Sequence, residues 1–568
     1  MHNIINYFKK YFFLIKIKPA KIVIMISLFV LSGCLDILGI GAIPYLIKML
    51  EENIDIVSKG NFNDNSVTLS FSIFVLCCFY FKSYLSFIVN KKIIRFSIEN
   101  QSKIIIEFLN CYNKGAYSVI KKISLSKVLN IVDNNIRLYI EQTLMASLKI
   151  ISEIIILLFI MTYLLYNYFI NSLLLLTMFA IIFYVYDKKY ASNFKLSSRK
   201  SHDSSIGIIN DVHQSIEGFK ELRVMGLEKI FIDKLSANVN VYAVNNTHAL
   251  TIRSIPKYYL ESTLITFLFV MSLLLLINNY SISYILSTNI IFVVCGLKIA
   301  PSAFQIISSV SSIRFSHEHM NELYSVLVGL NASMISDDDS FALEKIEFNK
   351  LSCKAIGFSF DDSDNLDKNY LFRNISFDIK VGDCVQICGD SGRGKTTLID
   401  IIVGLLDPTE GDIYLNNNLE SPHKSFKILN SKICYIPQFV IIYETTIYEN
   451  ITFCSDKNMI DLNKLIKCCK DVDIYKLINS LDQKFMTKIG PNGHLLSGGE
   501  RKKIALARAL YYDKEIFVLD ELTSGLDYAN ELIISNIVNR LVTKNNKTIL
   551  FTSHNSNHNF NVNSKIYL

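Results

Sequence analysis

The sequence predicts an α-helical membrane domain of six transmembrane helices with long cytoplasmic extensions, followed by an α/β domain built round a phosphate-binding loop. Three observations predict it. Of the 568 residues 51% are hydrophobic and only 19% charged, and the mean hydropathy is +0.31. That apolar excess is confined to residues 22–313, where it falls into six windows. Beyond about residue 345, strand-like and helix-like runs alternate as in a parallel sheet with crossover helices, and "ICGDSGRGKTTLID" (387–400) carries G-x-x-x-x-G-K-[ST].

The windows lie at about 22–48, 66–90, 144–166, 169–187, 259–278 and 282–313. A helix needs about 20 residues to cross a hydrocarbon core of ~30 Å. The shorter fourth and fifth windows are flanked by Tyr184, Tyr186, Tyr258 and Tyr259, rings that suit the interface. Residues 1–21 carry Lys9, Lys10, Lys16, Lys18 and Lys21 and no acid, and no small-residue cleavage site follows, so the first window is read as a retained span.

Charge sets the orientation. Segments 1–21, 91–122 and 188–257 are basic and long, whereas 49–65 is acidic and 166–171 and 278–283 are tight turns. The positive-inside rule places both termini in the cytoplasm, as a multi-pass protein of the inner (cytoplasmic) membrane. In the long cytoplasmic excursions apolar residues recur every three or four positions over 104–132 and 206–235, so the spans should continue as helices below the bilayer and turn there. The expected division is a basic segment 1–21, a membrane domain 22–318, a linker 319–345 and a nucleotide-binding domain 346–568.

The net charge of +7 is spread out and argues against nucleic acid as a partner. The 12 cysteines fall at no framework or metal-ligand spacing and read as reduced small hydrophobes. Cys384 and Cys388 flank the phosphate loop on a predicted buried strand, where core packing explains them.

In the loop, Gly389, Asp390, Ser391, Gly392, Arg393 and Gly394 would let backbone N–H groups converge on phosphates at a helix N-terminus. Lys395 would meet the β/γ oxygens, the Thr396 hydroxyl would ligate Mg²⁺, and Thr397 opens the helix. Alone this says only that a nucleoside triphosphate binds. A second element, "EIFVLDE" (515–521), is an apolar strand ending in two carboxylates. Asp520 would hold the metal and Glu521 would orient and deprotonate the attacking water.

With "LLSGGERKKIALARAL" (495–510) added, the sequence resembles the ATP-binding cassette of ABC transporters. The matched motifs run in that family's order: the loop, "IPQ" with Gln438, "LSGGE" (Leu496, Ser497, Gly498, Gly499, Glu500), "FVLDE", "SGLD" with Asp527, and "TSH" with His554. The resemblance implies that Phe360 stacks on adenine and that Gln438 contacts metal and water. It implies that His554 contacts the γ-phosphate and that Asp527 links two active sites. It also implies that Ser497 and Gly499 complete the site of a second subunit. One cassette cannot fold its signature onto its own loop, so a second copy is implied, with two ATP molecules and Mg²⁺ between the cassettes. The intact Glu521, Gln438 and His554 suit a homodimer with two competent sites.

Several residues depart from the family pattern. Arg393 replaces a small residue, Glu500 a glutamine, "SGLD" stands for "SALD", and "IGPNG" (489–493) stands where exporters read GERG. The last substitution bears on coupling and not on hydrolysis.

Six spans fused ahead of one cassette resemble a half-transporter of the type IV exporter fold, with coupling helices expected near 112–122 and 214–226. Stretches of the membrane half, among them "LDILGIGAIPYLI" (35–47) and "GLKIAPSAFQIISSVSSIRF" (296–315), are similar to bacterial lipid-linked oligosaccharide flippases and polysaccharide-cluster exporters. Exporters of microcin-like peptides or of lipids and drugs share the fold. Intact Glu521 and His554 speak against a channel that only gates, and the spans exclude a cytosolic ATPase. The implied function is ATP-driven export or flipping of an amphipathic substrate among membrane lipids.

Buried charge gives an independent hint, because an ionisable residue within a span suggests function. Lys82 and Lys298 both lie ~24 Å in from the outer face at 1.5 Å per residue, a seat for a phosphorylated headgroup. Lys82 could instead snorkel, and either lysine could pair with Asp36. Lys149 and Glu153, at i and i+4, are expected to neutralise each other.

Overall fold

Helix α1 (His2–Phe13) is amphipathic. Its Tyr7 and Tyr11 pack against a core with Leu14, while Phe8 and Phe12 stay exposed. The apolar windows then become helices α2 (Pro19–Val57), α3 (Asn65–Lys114), α5 (Leu125–Asn167), α6 (Phe169–Glu217), α8 (Glu228–Ile277) and α9 (Ile282–Phe315). The computed structural model describes residues 2–16, 19–57, 65–334, 348–360, 369–416, 418–419, 432–490, 495–553 and 560–568. They fall into two units, 1–115 with 119–334, and 116–118 with 335–568.

In the first unit α3 and α8 run for 50 residues each and α6 for 49. At 1.5 Å per residue that is roughly 75 Å, far beyond the ~30 Å of hydrocarbon. The expected cytoplasmic extensions are therefore continuous helix. Two short helices lie at their turns, α4 (Tyr117–Ile120) and α7 (Phe219–Met225), within the windows 112–122 and 214–226. Gly226 stops α7 in the left-handed conformation at φ 66°, where a side chain would be strained. Close packing of the spans needs small residues. A Cβ on Gly296 of α9 would lie 2.6 Å from Leu264 of α8, and one on Gly33 of α2 would lie 2.5 Å from Phe159 of α5.

The helical ladder of α5 widens to π-helix over Ile131–Asn135 and Tyr139–Leu144. Buried asparagines account for the first of these. Asn130 donates to Asn135 and Asn134 to Asn130, both at 3.3 Å, and such side chains compete with backbone pairing.

Segment 319–345 differs from the linker expected of it. Helix α10 (His317–Ala332) buries Met320, Leu323, Leu327 and Leu330 in the core with Phe108, Ile131 and Tyr139. The spacing of those four residues puts them on one helix face. Residues 335–347 lie outside the described residues.

The second unit holds two sheets. Strands β6 (Ile433–Ile436), β7 (Ile516–Leu519), β8 (Thr548–Thr552), β3 (Cys384–Cys388) and β9 (Ser564–Tyr567) lie side by side in that order, all parallel. This is the sheet that the alternation predicts. An antiparallel sheet stands beside it, in the order β2 (Tyr370–Lys380), β1 (Lys350–Ser359), β4 (Glu410–Leu415), β5 (Asn418–Leu419). Helix α11 (Lys395–Ile402) packs Leu398, Ile399 and Ile402 between the sheets, against Val385, Ile387, Ile356 and Ile379. Tyr117, grouped with this unit, packs on the same core. The other α-helices among the described residues of this unit are α12 (Ile447–Thr452), α13 (Leu462–Asp471), α14 (Tyr475–Ser480), α15 (Gly498–Tyr511) and α16 (Tyr528–Asn545).

Candidate nucleotide site

Strand β3 lies inside the parallel sheet between β8 and β9, with Cys384 fully buried in the core as its sequence context predicts. The chain leaves its carboxyl end through the loop 389–394 and enters α11. Gly392 and Gly394 hold left-handed φ values of 83° and 91°, and a Cβ on Gly394 would stand 2.6 Å from Leu371. Glycine is required at 394 on both counts. Asp390, Ser391 and Arg393 are exposed along the loop, whereas Lys395 and Thr397 are buried at the helix start. Lys395 Nζ donates to the carbonyls of Gly389 at 2.8 Å and Asp390 at 3.2 Å, which spans the loop with a cation.

The acid pair stands beside this loop because β7 and β3 share one sheet through β8. Thr396 Oγ1 donates to Asp520 Oδ2 at 3.3 Å. Asp520 is buried, and also accepts from Thr552 Oγ1 at 2.7 Å and from the Tyr435 hydroxyl at 3.3 Å. Glu521 adopts a left-handed φ of 48°, unusual for a residue with a side chain. Its N–H donates to Thr552 Oγ1 at 2.9 Å and its carboxylate accepts from Gln438 Nε2 at 2.6 Å. Residues following β3, β6 and β7 and the last residue of β8 thus converge at the carboxyl edge of the parallel sheet, where open α/β sheets bind ligands.

Tyr435 and Thr552 stand beside Asp520 and are not among the residues that the motifs single out. The signal was present: Tyr435 opens "YIPQ" and Thr552 opens "TSH". Burial, with Asp520 alongside, pushes the Tyr435 phenol up, which keeps it a donor to that carboxylate. Lys502 is a third: its buried ammonium donates at 2.6 Å to the Ser524 carbonyl, at the start of "SGLD". Asp527, just ahead of α16, accepts from Asn530 at 2.5 Å.

The signature residues form the N-terminus of α15. Ser497 is its cap, accepting from the Glu500 N–H at 3.4 Å, while the Glu500 carboxylate accepts from the Ser497 N–H at 2.6 Å. Glutamate in place of glutamine is therefore one half of a capping box. Leu496 is buried, and Gly499 is held close to Asn530, 3.2 Å from where a Cβ would be. Among the described residues no hydrogen bond or ion pair joins 496–500 to 389–397. Phe360 is 59% exposed and meets Phe358 edge to face at 4.9 Å. His554 and residues 491–493 lie outside the described residues.

The residues present fit a metal-bound nucleotide. Hydroxyl and carboxylate oxygens of Thr396 and Asp520 stand together with the Gln438 side chain nearby through Glu521, a hard-oxygen set that suits Mg²⁺.

Of the two membrane candidates, Lys82 takes the alternative of pairing with Asp36. Lys82 is ion-paired with the fully buried Asp36 of the neighbouring span, so its charge is neutralised inside the bundle. Pairing lowers the cost of two charges in hydrocarbon, which is why the acid and base occur together. Lys298 is half-buried and has no ion pair or hydrogen bond among the described residues. Glu153 accepts from Ser302 at 2.6 Å and is not paired with Lys149.

Residues 372–524 match the family model described as ABC transporter. Among curated proteins, the chain is 26% identical over 371 residues to the ATP-dependent lipid A-core flippase of Francisella tularensis, covering 63% of this chain and 57% of that one. It is 30% identical over 201 residues to ABC transporter B family member 2 of Dictyostelium discoideum, covering 35% of this chain and 14% of the relative. The chain thus spans little more than half the length of the first and a small part of the second. Among solved structures, a bacterial Atm1-family ABC exporter with ATP bound superposes with a TM-score of 0.76 at 15% identity, covering 94% of this chain and 91% of the other. Fold, motif order and family match agree: residues 372–524 form an ABC transporter domain, and the chain has the fold of an exporter half-transporter, six apolar helices long enough to span a membrane followed by one α/β cassette domain.

Proposed function

We propose that the protein hydrolyses ATP to move an amphipathic substrate from the cytoplasmic side across the inner membrane, working as a pair of identical chains. The observation that carries this is the pair of contacts at the sheet edge, Thr396 to Asp520 and Gln438 to Glu521. It supplies a metal seat and, beside it, a carboxylate held by an amide donor. In this reading Lys395 and the loop amides bind the β- and γ-phosphates, and Phe360 stacks on the base. Glu521 takes the proton of the attacking water, Gln438 orients both, and His554 contacts the γ-phosphate. Mg²⁺ held by Thr396, Asp520 and Gln438 would neutralise charge on the phosphates.

The second chain enters because, among the described residues, no hydrogen bond or ion pair joins Ser497 or Gly499 to their own loop. Each signature would close on the partner's nucleotide, and γ-phosphate contacts would draw the cassettes together. Phe219, Val224 and Met225 of α7 are exposed apolar residues on a cytoplasmic turn, the kind of surface that a coupling helix presents.

The substrate we favour is a lipid-linked oligosaccharide or related glycolipid, supported by the flippase-like stretches of the membrane half and by Lys298. With Lys82 neutralised, the headgroup would meet one Lys298 from each chain. A microcin-like peptide, or a lipid or drug, is the alternative cargo. Glu521→Gln tests the reading: in proteoliposomes it should keep ATP binding and lose turnover by about 10²-fold or more. Unchanged hydrolysis would remove Glu521 as the base.

A further inference from the structure

A cavity of about 720 Å³ opens in the first unit between α1, α6, α9 and α10, within the size range of ligand sites. Lys10, Lys195 and Arg314 line it with one acid, Glu318. Lys10 donates to Asn321 at 2.8 Å, and Arg314 is ion-paired with Asp187, whereas Lys195 is exposed with no ion pair among the described residues. Burial holds the His317 imidazole below its ordinary value, so the positive charge at neutral pH comes from the two lysines and the arginine.

The depth of the cavity is set by the same residues. Asp187 closes the fourth apolar window and Arg314 follows the sixth, so their pair marks where α6 and α9 leave hydrocarbon. Lys195 lies two turns below Asp187 on α6. Helix α1 forms the opposite wall through Tyr7 and Lys10, and turns Phe8 and Phe12 outward at 51% and 63% exposure. A helix with lysines on one side and exposed aromatics on another lies in the interface plane. The cavity is therefore basic and level with lipid headgroups on the cytoplasmic side.

We propose that this cavity binds a phosphate group, delivered by the headgroup of an anionic phospholipid of the inner leaflet. Lys195 and Lys10 contact the phosphate, and the apolar wall of Val310 and Ile313 receives the start of the acyl chains. Bound lipid would join α1 to the cytoplasmic ends of α6 and α9. The inference does not rest on the transported substrate, since it concerns binding in the absence of nucleotide.

The test uses the full chain reconstituted in phosphatidylcholine vesicles containing phosphatidylglycerol, with the lipids retained on release counted by native mass spectrometry. Phosphatidylglycerol should be enriched over phosphatidylcholine, and the enrichment should fall about fivefold for each of Lys195→Gln and Lys10→Gln. Lys195→Gln touches no ion pair, so it should fold normally. Lys188→Gln, on the same helix but outside the cavity lining, should change nothing. Equal enrichment in wild type and in Lys195→Gln combined with Lys10→Gln would overturn the site. So would an equal loss in Lys188→Gln, which would mean diffuse surface attraction. If inorganic phosphate displaced the lipid and was itself retained, the lipid source would be wrong.

Discussion

Gln438 and Glu521 each stand two residues beyond one register pair of the parallel sheet, Ile436 opposite Leu519, and share a 2.6 Å hydrogen bond. Strand pairing therefore fixes the distance between the amide and the carboxylate, and no loop conformation has to be found for them to meet. Gln438→Ala removes the donor without touching the phosphate loop. The expected result is a roughly tenfold lower kcat for ATP at saturating Mg²⁺, because the contact positions the base, together with a raised Mg²⁺ requirement, because Gln438 is also one of the three residues proposed to hold the metal.

Thr552 serves both acids, donating to Asp520 and accepting from the Glu521 N–H. Thr552→Val keeps the shape and removes the hydroxyl, leaving a buried carboxylate short of a donor at a cost of about 1–3 kcal/mol. Thermal unfolding should shift down, and the Mg²⁺ concentration for half-maximal ATPase should rise. An unchanged Mg²⁺ requirement would show that Asp520 does not depend on Thr552 for its orientation.

Acid should loosen the first unit through α10. His319 is buried, bonded to Asn135 at 2.8 Å and 3.1 Å from His202, and burial lowers it to about 3. The unfolded chain takes up a proton near the ordinary value of 6.5 and the folded one does not, so this contribution is complete above pH 6.5 and falls as pH drops. Between pH 7.5 and 5.5 one such group costs about 1.4 kcal/mol. Burial would raise Glu322, but hydrogen bonds from His202, Lys127 and Asn135 outweigh it and hold the carboxyl at about 2. Its share is present above about pH 4.5 and is lost below. Thermal inactivation scanned against pH should show both limbs, and His319→Asn should flatten the upper one.

Asp36 and Lys82 should behave as one unit. Asp36→Asn leaves a lysine unpaired in a span and should cost about 3 kcal/mol, while adding Lys82→Gln should restore most of the loss. Additive losses would mean that the two do not depend on each other. Lys298→Ala, by contrast, should lower stimulation by pyrophosphate-linked lipids more than basal ATPase.

Much of this was legible in the residues. The six helices followed from window length, and the parallel sheet from alternation, because each is a local pattern that burial enforces. Thr396, Asp520, Gln438 and Glu521 were legible because their spacing is tied to strand ends. Long-range pairing was legible only as an alternative, since the residues allow either Lys82 or Lys298 to meet Asp36. Asp36 and Lys82 lie on different helices, and only packing decides that they meet; Glu153 likewise finds Ser302 and passes over Lys149, although the i,i+4 spacing favoured the latter. Helix α10 was read as linker because its apolar stripe is short, and the antiparallel sheet was missed because β1 and β2 are bulged and irregular in register.

The central claim is that each nucleotide is hydrolysed between one chain's loop and the other chain's signature. Lys395→Ala and Ser497→Arg proteins, each inactive alone, can be mixed and co-reconstituted. In the mixed dimer one site combines an intact loop with an intact signature, so ATPase should recover to roughly a quarter of wild type. A mixture as inactive as either variant would contradict the account.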